Sequence, residues 1–273
     1  MSDLADLKRF RKQHPEQSVV LQGARWGVID SAPRARPNRQ PTLLLLPGTM
    51  GTGEIFWQQI RALSRSVRLI ALTYPAVPDV ERFADGAVQI LRQKGLRTAS
   101  VLGSSLGGYT AQVLALRHPQ VVERLFIGNS LCNPPVSWCP KHPPVEEVEA
   151  TAARDILADR VARVAHWPEG DAGLTLAKQV IGMQGRETIS ARHLKARVLA
   201  LLKAPNLPRL PIPDERIAII ECADDPVMPP PVRKEVRDRY PGASVHTLPS
   251  GGHFPYISRP DPYTQILRTH LLG

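Results

Sequence analysis

The sequence predicts an α/β fold: a mostly parallel sheet flanked by helices, with a helical lid inserted in its second half. Three observations predict it. Short apolar runs such as residues 43–46 and 99–102 alternate with longer segments of helical apolar spacing, the pattern of a sheet covered on both faces. That alternation stops from about residue 131 to 213, where helical segments lie between two Pro-rich hinges, and resumes at 216–222. Residues 98–119 read as a strand, a tight Gly-Ser turn and a helix in immediate succession.

Taken in order, Leu4, Leu7 and Phe10 share one face of a short helix that His14-Pro15 ends. Strands are expected at residues 18–22 and 25–29, followed by a Pro- and Arg-rich turn at 32–41. The apolar run 43–46 leads into the Gly-rich loop Pro47-Gly48-Thr49-Met50-Gly51-Thr52-Gly53. A helix at about 54–64, a strand at 67–72 and a helix at 80–94, with Phe83, Val88 and Leu91 among its apolar positions, come next. After the strand at 99–102, Tyr109, Val113 and Leu116 mark one face of a helix that Pro119 stops, and a strand follows at 124–127.

In the insertion, a first helix opens with Glu146, Glu147 and Glu149 and carries Arg160 and Arg163 towards its end, a polarity that suits the helix dipole. Segments near 174–181 and 189–202 also have helical spacing. A strand at 216–222, a helix at about 231–239, a strand near 244–248 and a last helix at about 262–271 complete the chain. Residues 1–130 and 214–273 are thus expected to form the core, and 131–213 the inserted lid.

At 273 residues the chain has room for one large domain with an insertion, or for two small ones. Its 42% hydrophobic and 22% charged residues are ordinary for a globular protein. No apolar stretch approaches the ~18 residues of a membrane span, and charges occupy the place of a signal peptide's apolar core, so a cytoplasmic protein is expected. The three cysteines, Cys132, Cys139 and Cys222, make neither a disulfide framework nor a zinc-finger spacing, and no metal or organic cofactor is implied. The net charge of +10 comes from scattered arginines with no nucleic-acid-binding motif, which argues for a basic surface rather than a nucleic-acid partner.

The chemistry centres on Gly103-Ser104-Ser105-Leu106-Gly107, which fits G-x-S-x-G. The pattern is weak alone, since a Gly-rich turn that merely packs closely would also fit. Its place between a strand and a helix is the context a nucleophile requires, and the strained turn would lift the Ser105 hydroxyl above the sheet edge. Ser104 is the poorer candidate, because Leu102 stands where a small residue is needed. A serine hydroxyl needs an adjacent base, and the base an orienting acid. Asp225 and His253 follow the lid, each just beyond a strand; Asp224 is the rival acid, and Asp225 is preferred for its acid-then-proline spacing.

The remaining seven of the eight histidines sit on helices, strands or Pro-rich turns, with His118 in a helix's last turn. For a developing oxyanion the amides of Leu106 and Thr49 are the expected donors. A phosphate-binding role for residues 47–53 fails the known fingerprints: no Gly-Lys-Ser/Thr follows, and the third glycine of the dinucleotide pattern is missing.

Leu44-Leu-Leu-Pro-Gly48, Phe56-Trp-Gln-Gln-Ile60, Ile70-Ala-Leu-Thr-Tyr-Pro75, the Ser105 turn and Gly251-Gly-His-Phe-Pro-Tyr256 together resemble the maspardin family of the α/β-hydrolase superfamily. The likeness is read over about residues 40–133 and 216–271, and little of the lid. Pro47-Gly48 and Thr73-Tyr74-Pro75 are its most specific parts, replacing the His-Gly and Asp-x-x-Gly-x-Gly of many hydrolases. The resemblance implies the α/β-hydrolase fold with Ser105 as nucleophile. It also implies a binding or adaptor role, because maspardin is regarded as such and has asparagine where this chain has His253. The complete Ser105, Asp225 and His253 set points instead to a serine hydrolase acting on a small acyl substrate, most simply a carboxylic ester and then a thioester or amide. A protein partner belongs to the adaptor alternative, and peroxidase-like or lyase chemistry is a further use of such a scaffold.

Overall fold

A computed structural model describes residues 4–31, 40–167 and 170–273; most of the turn expected at 32–41 lies outside the described residues. Its strands are β1 (Gln17–Leu21), β2 (Ala24–Asp30), β3 (Thr42–Leu46), β4 (Arg68–Thr73), β5 (Ala99–Ser104), β6 (Val122–Gly128), β7 (Ile217–Cys222) and β8 (Ser244–Leu248). They form one eight-stranded sheet in the order β1-β2-β4-β3-β5-β6-β7-β8. β1 and β2 run antiparallel to their neighbours, and every pairing from β4 to β8 is parallel. Gln22 (φ 49°) and Gly23 (φ 73°) join β1 to β2, both in the left-handed region that a two-residue hairpin of this hand requires.

Burial follows position in the sheet. Strands β3, β5 and β7, inside the sheet, are buried at every residue, whereas the edge strand β1 is largely exposed and β8 exposes alternate side chains. Helices α1 (Leu4–Gln13), α2 (Trp57–Leu63), α3 (Val80–Gln93) and α4 (Leu106–Arg117) precede β6 or alternate with the strands. Asp79 caps α3, its carboxylate accepting from the amides of Glu81 at 2.8 Å and Arg82 at 3.2 Å. α4 is buried from Leu106 to Ala115 with no polar face, because α3 and the sheet enclose it.

From β3 the chain runs outwards to β4, then crosses back over β3 to β5 on its other side. Such a reversal leaves a crevice at the carboxyl ends of the two strands, where open α/β sheets bind ligands. Leu46 pairs with Gly103, so the loops after β3 and β5 leave the sheet level with each other.

Between β6 and β7 the described residues hold only helices: α5 (Pro134–Ser137), α6 (Val145–Ala150), α7 (Ala153–Ala165), α8 (Ala172–Met183) with a π-helical turn at Gln184–Thr188, and α9 (Ala191–Leu202). The single first insertion helix expected from the acidic start at Glu146 and the basic end at Arg163 is in fact two. Thr151 and Ala152 are extended (ψ 133° and 137°). The carbonyls of Glu149 and Thr151, which a continuous helix would use internally, accept instead from Lys195 Nζ at 2.7 and 2.8 Å. A lysine from α9 therefore stabilises the break. The chain ends with α10 (Pro230–Arg239), α11 (Pro255–Ser258) and α12 (Pro260–Leu272). No helix among the described residues is long and apolar enough to cross a membrane.

Candidate active site

Ser105 ends the turn between β5 and α4 at φ 55°, ψ −122°, a strained conformation for a residue with a side chain. The turn is tight enough to dictate its neighbours. A Cβ on Gly103 would lie 1.9 Å from the Gly107 carbonyl oxygen, and one on Gly107 would lie 1.9 Å from that of Leu46. These clashes are with backbone, so the two glycines of the motif are steric requirements. Ser130 Oγ donates to the Ser105 carbonyl at 2.6 Å, and the Ser105 amide donates to Gly128 O at 3.0 Å, tying the turn to the end of β6.

The other candidates leave the sheet at the same edge, from strands further along. Asp225 follows β7 and His253 follows β8. His253 Nδ1 stands 2.9 Å from Asp225 Oδ2 and 3.1 Å from Oδ1. A carboxylate facing Nδ1 assigns the proton to that nitrogen and leaves Nε2 as the basic face. The Val227 and Met228 amides donate to Asp225 Oδ1 at 2.8 and 3.0 Å, which fixes the carboxylate plane. Burial by itself raises the Asp225 carboxyl. The His253 charge and hydrogen bond, the Asn129 amide and the Met228 amide outweigh that burial and hold it down at about 2.

Asp224, the rival acid, has separate work. It is exposed, and its two oxygens accept from the amides of Gly251 at 3.1 Å and Gly252 at 2.9 Å, so it anchors the loop that carries His253. Adjacent aspartates thus hold the imidazole and its backbone respectively.

Ser105 itself stands apart in one respect: its hydroxyl makes no hydrogen bond among the described residues, to His253 or to any other group. Gly48 brings the loop after β3 close to it, since a Cβ there would lie 3.1 Å from Ser105 Cβ and 3.7 Å from Oγ. The amides of Thr49 and Leu106 donate to no acceptor among the described residues. Two unused N–H groups therefore flank the serine, one from the Gly48 loop and one from the first turn of α4.

The site is roofed. Ser105 is 5% and His253 8% exposed. Trp167, beyond α7, stacks on Phe254 next to His253, with ring centroids 5.6 Å apart. Met50 Cε lies 3.0 Å from where a Gly185 Cβ would be, so the π-helical turn of the insert packs down on the Gly48 loop.

Three residues outside the sequence-based candidates shape this site. Asn129, at φ 40° beyond β6, donates from Nδ2 to Asp225 Oδ2 at 2.6 Å and to Gly252 O at 3.2 Å. The available signal was its place at the carboxyl end of a strand, and asparagine's tolerance of the left-handed region. Gln184, fully buried, accepts from Thr52 N at 3.0 Å and Thr52 Oγ1 at 2.9 Å while donating to Glu54 at 2.6 Å. Arg197 of α9 donates from Nη1 to the carbonyls of Thr49 at 3.1 Å and Gly51 at 2.6 Å. The insert therefore grips the Gly48 loop at two places, through contacts more than 130 residues apart in sequence.

A strained serine after one strand, a carboxylate–imidazole pair after two others and a parallel sheet beneath them define a hydrolase-type α/β scaffold. Residues 43–266 match the Alpha/beta hydrolase family, and the chain belongs to it. Maspardin of Danio rerio is 25% identical over 277 residues, covering 97% of this chain and 85% of its own length. That similarity extends across the insert, beyond the sheet-forming segments to which the motifs pointed. Among solved structures, the enol-lactonase from Burkholderia xenovorans LB400 superposes with a TM-score of 0.76 at 19% identity, covering 94% of this chain and all of its own. An esterase from Thermogutta terrifontis gives 0.73 at 19% identity, covering 93% and 97%. At these identities the two structures speak for the fold alone.

Proposed function

We propose that the protein is a serine hydrolase that cleaves a small carboxylic ester, and less readily a thioester or amide, through an acyl-enzyme on Ser105. The single observation that carries this reading is the buried Asp225–His253 pair, its carboxylate oriented by three further hydrogen-bond donors, at the sheet edge where Ser105 stands on its strained turn. His253 Nε2 takes the Ser105 proton as Oγ bonds to the substrate carbonyl carbon. The Thr49 and Leu106 amides hold the resulting oxyanion, each contributing on the order of 3 kcal/mol in the transition state. Collapse breaks the bond to the leaving group, which receives the proton from His253; water, deprotonated by the same nitrogen, then releases the acid and regenerates Ser105.

Residues 131–213 act as the cap that shapes the acyl pocket, residues 1–130 and 214–273 being the core. The roof over Ser105 favours small substrates. Three free cysteines, two of them buried, fit the reducing conditions of the cytoplasm.

A second reading, a binding protein on a hydrolase scaffold, is favoured by the nearly full-length similarity to maspardin and by the unengaged Ser105 hydroxyl. Fluorophosphonate labelling with the adduct mapped by mass spectrometry separates the two. The enzyme forms an adduct on Ser105 that Ser105→Ala and His253→Ala lose, and it turns over short p-nitrophenyl esters. A protein inert to probe and esters alike is the binder.

A further inference from the structure

The loop that carries the Thr49 amide includes Gly48, Gly51 and Gly53, so it has little stiffness of its own. One bond inside it fixes a peptide plane: the Gly48 carbonyl accepts from the Gly51 amide at 3.2 Å. In a trans peptide the C=O and the following N–H point in opposite directions, so this bond turns the Thr49 N–H to the far edge of the same plane. That plane adjoins the candidate nucleophile, since a Cβ on Gly48 would lie 3.1 Å from Ser105 Cβ. The direction of the Thr49 amide therefore depends on where Gly51 is held, and Gly51 is held from the insert. Arg197 Nη1 donates to the Gly51 carbonyl at 2.6 Å and to the Thr49 carbonyl at 3.1 Å. The Gly51–Thr52 peptide is clamped at its other edge too, where the Thr52 amide donates to Gln184 Oε1 at 3.0 Å.

Arg197 makes these bonds at a cost in desolvation. It is completely buried, its Nε and Nη2 have no acceptor, and no carboxylate lies within ion-pair distance among the described residues. The Tyr74 ring, 5.6 Å from the guanidinium carbon, offsets only part of that cost. Burial pushes the guanidinium down to about 10, so it keeps its charge at neutral pH. A buried charge without a counter-ion is a poor device for stability, because an apolar side chain of similar volume often serves as well or better. Aiming the Gly48 loop is a role that an apolar side chain cannot fill.

We infer that Arg197 is a positioning residue for the oxyanion hole: from the insert it holds the Gly51 and Thr49 carbonyls so that the Thr49 N–H faces the oxygen of a substrate bonded to Ser105. This rests on the hydrolase reading, in which the Thr49 amide is one of the two oxyanion donors. Arg197 acts through the loop and not on the substrate. Because it arrives on α9, docking of the insert completes the catalytic loop as well as roofing it.

The test compares the wild-type protein, Arg197→Met and Arg197→Lys in hydrolysis of a short p-nitrophenyl ester and in inhibition by a short-chain trifluoromethyl ketone and its methyl ketone counterpart. The fluorinated ketone takes the Ser105 oxygen on its carbonyl carbon, the hydroxyl proton passes to His253, and the ketone oxygen becomes an oxyanion; the methyl ketone occupies the pocket without stable addition. Arg197→Met is expected to lower kcat about 100-fold, with KM and methyl ketone inhibition within about threefold, and to weaken the trifluoromethyl ketone by the same factor as kcat. Arg197→Lys keeps the charge on a shorter, unforked group and should fall about tenfold in kcat; if Arg197→Met does not fold, Arg197→Lys decides alone on the same constants. A kcat retained within about threefold, or lost without matching loss of trifluoromethyl ketone affinity, overturns the role, and so does equal weakening of both ketones, the mark of a collapsed pocket. Wild-type protein inert to the ester and to fluorophosphonate instead overturns the hydrolase reading, and this role with it.

Discussion

Asn129 Nδ2 lies 2.6 Å from Asp225 Oδ2, although 96 residues separate the two in sequence. The contact arises because Gly128 pairs with Ile220, which brings the ends of β6 and β7 side by side. Asn129 thereby supplies the fourth donor around a carboxylate that also holds His253. Its loss leaves a buried anion short of one hydrogen bond, worth about 1.5–3 kcal/mol for a charged acceptor. Asn129→Ala is expected to lower kcat for ester hydrolysis by about 10- to 100-fold with KM little changed, because the residue positions the acid and does not touch substrate. Steady-state kinetics on a short p-nitrophenyl ester provide the check.

The adjacent aspartates should separate cleanly. Asp225→Asn removes the charge that holds the imidazole and is expected to cost about 10⁴-fold in kcat, as loss of the orienting acid does elsewhere. Asp224→Asn keeps one oxygen and puts an NH2 in place of the other, so one of the Gly251 and Gly252 amides loses its acceptor and faces a donor. That change should lower stability by about 1–2 kcal/mol and kcat by about tenfold. Equal losses in the two variants would contradict the assignment.

Asp225 also carries a pH signature. Its folded value, held at about 2, lies below the ordinary carboxylate range. The unfolded chain therefore binds the proton first as the medium is acidified. The ionised carboxylate contributes stability that is fully present above about pH 4 and is lost as pH falls towards 2, about 2 kcal/mol in all. Urea denaturation from pH 5 to 2 should show a decline that Asp225→Asn makes shallower.

Gly107→Ala tests the turn. Its new methyl would lie 1.9 Å from the Leu46 carbonyl oxygen, and central strand β3 cannot retreat. A destabilisation of about 3 kcal/mol, at the upper end for overpacking, is expected in chemical denaturation. Gly95→Ala makes an informative contrast: Gly95 has φ 74° but nothing within 4 Å of its absent Cβ. That substitution should cost only the left-handed backbone strain, about 1 kcal/mol.

The order of strands and helices, the Ser105 turn and the later Asp225 and His253 were legible in the sequence because each is a local pattern. Unbroken apolar runs mark buried strands, and a Gly-x-Ser-x-Gly turn between strand and helix has few steric solutions. The break between α6 and α7 was not legible: residues 145–165 have the charge polarity of one helix, and the interruption is stabilised by Lys195, which arrives from α9. The same holds for Asn129, Gln184 and Arg197, which locally look like a turn residue, a helix glutamine and one basic residue among many. Of the two adjacent aspartates, Asp225, the one the acid-then-proline spacing favoured, is the one that faces the imidazole. Local periodicity reports the neighbours along the chain. The partners of a buried polar group are chosen by strand register and by the docking of the insert, which exist only once the chain has folded.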